Sequence, residues 1–163
     1  MNAQDVLKYG HLTVLHTLEG VPAGQWTTPG VCGWWSVKDI IAHLASHEGV
    51  LVDVLTGLLH EGSPTPTLDR YLKRDEDFND AQVIQRQATS PEDVLEEYRE
   101  TCRAAQDLLQ QVPTAHRREA GILPWYGSEY DLEDYLAYGF YGHKREHSAQ
   151  IAVFIDRLKQ GTA

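Results

Sequence analysis

His143-Lys-Arg-Glu-His147 and, far upstream, His43-Leu-Ala-Ser-His47 each set two imidazoles four positions apart. On a helix, residues four apart project from one face about a turn from each other, a spacing at which two neutral imidazoles can share a metal ion. Two such pairs in one small chain point to a site between two helices. Three imidazoles with a fourth position left open make a catalytic rather than a closed structural centre, able to activate water or a thiol. Zinc is the default divalent ion, and nickel, iron or manganese also accept imidazole ligands.

On a wheel of about 100° per residue, His143 and His147 fall within the arc of Leu132, Leu136, Phe140, Phe154 and Leu158, so both point inward. A buried polar group left unsatisfied costs about 1–3 kcal/mol. Each inward ring nitrogen therefore needs a partner, either a metal ion or a Tyr or Glu from a facing helix. In the upstream pair the wheel puts His47 near the middle of the apolar arc and His43 at its edge, and periodicity leaves the third ligand open between them. Glu48 and Glu146 adjoin the two pairs. They read as a general base or an acceptor behind a ligand, or, more commonly for helix carboxylates, as solvated or ion-paired groups. His11 falls toward the interior, whereas His16, His60 and His116 sit among polar or loop residues and read as solvated. The sequence assigns no catalytic residue.

Four segments must carry these groups, and each opens on a capping side chain followed three positions later by an acid: Asn2 and Asp5, Ser36 and Asp39, Ser90 and Asp93, Asp131 and Asp134. The expected helices run from Ala3 to about Glu19, Val37 to Leu59, Pro91 to about Val112 and Leu132 to about Lys159. Their apolar stripes follow the helical period, and no segment alternates with period two, so the expected fold is an all-α four-helix bundle. Residues 60–89 form a long, polar crossover between helices two and three, containing short helical pieces. The other two connections, about 20–35 and 113–130, hold all four tryptophans. Aromatic loops of this length either wall a pocket at one end of the bundle or plug that end as additional core.

A length of 163 residues fits a single domain spanning 1–163, with a core that needs no disulfide. The net charge of -10, with only 14 Lys and Arg, argues against nucleic acid and anionic membrane as partners. The first twenty residues carry Asp5, Lys8 and Glu19, so no signal-peptide core is expected, and no later stretch approaches the roughly 18 apolar residues of a membrane span. Cys32 and Cys102 form no C-x-x-C unit and read as free thiols of a reducing compartment, so a cytoplasmic location is expected.

The run Trp35-Ser-Val-Lys-Asp-Ile-Ile-Ala-His43-Leu-Ala, with His143-Lys-Arg-Glu-His147-Ser-Ala-Gln-Ile, resembles the DinB-like superfamily of small bacterial four-helix-bundle proteins. That superfamily includes bacillithiol S-transferases of the YfiT type, and related folds include mycothiol-dependent maleylpyruvate isomerase and the ClbS/DfsB proteins. The resemblance implies a ligand triad of His43, His143 and His147, with His47 as a neighbour or alternative ligand. It also implies a homodimer, and a low-molecular-weight thiol transferase or isomerase acting on a small electrophile. A metal-dependent hydrolase and a non-catalytic, ClbS-like protective binder are the competing expectations.

Overall fold

The computed structural model describes residues 2–73 and 77–161, and among them there is no strand, only a single bridge between Cys32 and Trp35. Four long helical segments make the bundle. They are α1 (Ala3–Leu18), α2 (Val37–Leu59), α5 (Pro91–Gln111) and a fourth built of α7 (Leu132–Leu136), a π-helical stretch Ala137–Gly142 and α8 (His143–Gln160). The crossover supplies α3 (Pro66–Lys73) and α4 (Phe78–Gln85), as expected; residues 74–76 of it lie outside the described residues. A short α6 (Thr114–Arg117) follows α5. The fold is all-α, a helical bundle of the expected kind. No described helix is long and apolar enough to cross a membrane.

All four expected caps form. Asn2 accepts from the Gln4 and Asp5 amides, and Ser90 from Asp93, with Pro91 at the first helical position, where its missing N–H costs nothing. Ser36 with Asp39 and Asp131 with Asp134 close full capping boxes. The fourth helix departs from the expected unbroken α-helix. The wider π turn at Ala137–Gly142 contains Gly139 and Gly142, and a Cβ at Gly139 would meet the Tyr135 ring at 3.3 Å. Periodicity counted at 3.6 residues per turn carries no sign of such a wider turn.

The core divides into two apolar halves. One gathers Val14, Leu18, Ile40, Leu44, Val94, Ile151 and Phe154; the other gathers Leu7, Leu51, Leu55, Leu109, Leu132, Leu136 and Phe140. Around the Glu48–Lys144 contact of α2 and α8 the other long helices contribute polar or small groups: Gly10 and His11 on α1, and on α5 Cys102 beside Tyr98, both of which belong to the first half. Helix α2 is buried almost all round in its first half, which makes it the axis on which the crossover is laid. Asp53 of α2 accepts from the Thr67 and Leu68 amides at 2.6 and 3.0 Å, a carboxylate at the start of α3. The buried Lys38 ammonium donates to the Arg86, Gln87 and Thr89 carbonyls beyond α4, the nearest at 2.8 Å. Arg86 in turn pairs with Glu97 of α5 at 2.6 Å.

The Ser36 cap is itself buried, at 2% exposure, so its loss leaves α2 amides that water reaches poorly. Ser36→Ala is expected to lower stability by about 1–2 kcal/mol in urea unfolding; a change below a few tenths would show that the box does not hold the start of α2.

Candidate metal centre

Both histidine pairs reach one point. His43 Nε2 of α2 lies 2.8 Å from His143 Nε2 of α8, and His147 Nε2 lies 2.9 Å from the same atom. His47 joins them, its ring centroid 4.5 Å from that of His43 and 4.8 Å from that of His143. The nitrogens of His43, His47 and His143 lie within 4.8 Å of one another, so these histidines are placed to bind a metal ion. The four rings form one cluster. His43 is the deeper member of its pair at 3% exposure, with His47 partly exposed, the reverse of the order given by the wheel. Burial on a wheel assumes one flat facing surface, whereas α2 is enclosed on nearly every side.

Hydrogen bonding does not account for the cluster. The His147 Nδ1–H donates to Gln150 Oε1 at 2.8 Å, which leaves a bare lone pair at Nε2. His143 Nε2 then faces two ring nitrogens with at most one proton to share, so one of its two short contacts lacks a proper hydrogen bond. His43 Nδ1 is buried and has no partner among the described residues. Nitrogens around a tetrahedral ion stand roughly 3.3 Å apart, about half an ångström wider than these, so small ring movements admit one. The donor set fits a divalent ion.

Burial, reinforced by the neighbouring imidazoles, pushes the His43 pKa far down and takes His143 from 6.5 to about 3. Burial also lowers His47 and His147, opposed by the hydrogen bonds their rings donate to Asn79 and Gln150 respectively. All four rings are therefore neutral at pH 7, the form that ligates metal.

Beside the cluster lies a cavity of about 330 Å³ walled by His47, His143, Glu146 and a set of aromatic rings. Those rings are Tyr71 from α3, Tyr126 from the 113–131 loop, Tyr135 from α7, and Tyr138 and Phe140 from the π turn. The tryptophans do not line it. Trp26 and Trp35 pack on one half of the core and Trp125 on the other, so these rings act mainly as additional core. Trp35 nevertheless touches the site: its ring lies 4.9 Å from that of His43, and its indole N–H donates to Asp80 Oδ1 at 2.9 Å. The crossover contributes more than spacing indicated. Asn79 accepts from His47 Nε2 at 3.1 Å, and Phe78 packs edge-on to the His47 ring. A clue was present, since five of the eight tyrosines fall between positions 126 and 141. Of the flanking acids, Glu146 is exposed at the cavity wall, while Glu48 is fully buried and ion-paired with Lys144. His11 packs on Tyr98 inside the bundle, and His16, His60 and His116 are exposed. Cys32 and Cys102 are free thiols.

Comparison with known proteins agrees with this architecture. The family described as the mycothiol maleylpyruvate isomerase N-terminal domain matches residues 11–131. The chain belongs to that family, a DinB-like superfamily domain. The matched span contains His43 and His47 and stops before His143 and His147. Neither the curated proteins nor the solved structures gave a match.

The neutral buried imidazoles set the acid stability of the metal-free protein. Well above pH 6.5, from about pH 7.5 upward, they are neutral folded or unfolded and add no pH dependence. As pH falls through 6.5 the unfolded chain takes up protons that the folded chain refuses until about pH 4 at His11 and about pH 3 at His143. Stability therefore drops with falling pH, by up to about 1.4 kcal/mol per pH unit for each such group. Calorimetry on chelator-treated protein is expected to show a Tm falling steadily from pH 7 to 5, less steeply in His143→Ala; a flat wild-type profile would contradict neutral burial.

Proposed function

We propose that the protein is a metal-dependent enzyme that joins or isomerises a small electrophile using a low-molecular-weight thiol. His43, His143 and His147 are the ligands, and His47 is the alternative. The observation that carries this reading is the convergence of three imidazole nitrogens, unexplained by hydrogen bonding, beside an aromatic cavity. The thiol comes from the family's description, which names mycothiol. Zinc is the first choice among imidazole-binding ions. A bound divalent ion supplies Lewis acidity, which keeps a thiol deprotonated near neutral pH.

The chain's own groups have separable roles. Burial holds the imidazoles neutral, and Gln150 fixes the His147 tautomer with its free lone pair inward. His47, with its Nε2–H directed to Asn79, presents a bare Nδ1 that can accept the proton of an incoming thiol. Burial raises the Tyr126 and Tyr135 pKa values, so both phenols remain neutral hydrogen-bond donors. Glu146 is the one carboxylate among the described residues that line the cavity, and no Lys or Arg joins it there. A neutral conjugated electrophile suits this wall better than a dicarboxylate such as maleylpyruvate.

Elemental analysis of untagged protein is expected to find near-stoichiometric metal in the wild type and little in His143→Ala or His147→Ala. Conjugation of monochlorobimane with a low-molecular-weight thiol should fall in both variants by roughly two orders of magnitude or more, with circular dichroism unchanged. Full activity in both variants would overturn the reading. Metal-dependent ester turnover without any thiol would replace it with a hydrolase. A wild type that neither carries nor takes up metal would favour a ClbS-like binder.

A further inference from the structure

Glu48 and Lys144 form an ion pair for which the proposed reaction has no use. Lys144 Nζ lies 2.6 Å from Glu48 Oε1, and each side chain is 2% exposed. Burial alone lowers the Lys144 pKa, but the Glu48 charge and hydrogen bond outweigh it, so the ammonium stays protonated. Taking two charges out of water costs several kcal/mol per ion, and well-packed apolar side chains of similar volume are often as stable or more so. Stability is therefore a poor reason for the pair.

Its place in the fold offers a better one. Glu48 directly follows His47, and Lys144 directly follows His143. Helix α2 packs chiefly along α5, and α8 chiefly along α1, so α2 and α8 meet at few points. Among the described residues the polar links between these two helices are this ion pair and the histidine contacts. Apolar packing is non-directional and fixes register only where two faces interlock over some length. A short charge-assisted hydrogen bond fixes both height and spacing. Gly10 of α1 points the same way, because a Cβ there would meet Lys144 Cδ at 3.2 Å, and its absence clears a path for the lysine stem.

We propose that the buried Glu48–Lys144 pair is a positioning device that sets α2 against α8 so that His43 converges with His143 and His147. This rests on the metal-binding reading above. The pair acts through the helices, and neither residue touches the ion or the substrate.

The test replaces both charges, Glu48→Leu with Lys144→Met, in the full chain. Three quantities are measured: the Tm of the metal-free protein, Zn²⁺ affinity against a chromophoric chelator, and the visible absorption of the Co²⁺-loaded protein. The metal-free Tm is expected to match or exceed the wild type, while Zn²⁺ affinity falls about tenfold or more and the cobalt bands shift. A folded double variant with wild-type affinity and an unchanged cobalt spectrum overturns the proposal. If that variant fails to fold, Glu48→Asp keeps the charge but shortens its reach by one methylene; the same loss of affinity is expected, and wild-type affinity there overturns it too. A wild type that binds neither Zn²⁺ nor Co²⁺ overturns the metal reading instead, so the two failures are distinguishable.

Discussion

The polar layer across the middle of the bundle, centred on the buried Glu48–Lys144 ion pair, is the constraint to which the surrounding structure answers. Charges removed from water must be paired and hydrogen-bonded, so each neighbouring helix yields space or chemistry at that level. On α1 a glycine makes room for the lysine stem. His11 is held neutral, its pKa lowered to about 4 by burial and then by Lys144. On α5, burial and the Glu48 charge keep the Cys102 thiol and the Tyr98 phenol protonated. The pair thus has neutral neighbours, and the apolar halves of the core close on either side of it.

The histidine cluster stands on the same two helices, one residue away from each member of the pair. Its outer wall comes from parts of the chain that are remote in sequence: α3 and α4 of the crossover, the 113–131 loop and the π turn. What brings the crossover there is polar anchoring to α2 and to Trp35 just ahead of it. Asp53 holds the start of α3, Lys38 gathers the carbonyls after α4, and Trp35 ties Asp80 beside His43. One central helix, with the Trp35 that precedes it, therefore supplies a candidate ligand, half of the ion pair and the anchors of the cavity wall.

Family membership and site chemistry bear on different questions here. The match over residues 11–131 establishes the domain type but does not reach the second histidine pair. The case for a metal centre therefore rests on nitrogen geometry in this chain, and the choice of substrate rests on the wall around it. A fold accommodates many chemistries, and the arrangement of side chains at the site decides among them.

Local rules were sufficient for the helices. The caps at Asn2, Ser36, Ser90 and Asp131, the apolar stripes and the long crossover were all legible, because capping and amphipathicity act over three or four residues and leave their mark in neighbouring positions. The histidine pairs were legible for the same reason. The depth of His43 relative to His47 was not, since it depends on the near-complete enclosure of α2 by elements that the local sequence does not specify. The π turn, the tyrosine wall and the pairing of Glu48 with Lys144 were likewise decided by tertiary structure. Each arises where groups far apart along the chain meet at a few ångströms, and neither helical period nor composition encodes that distance.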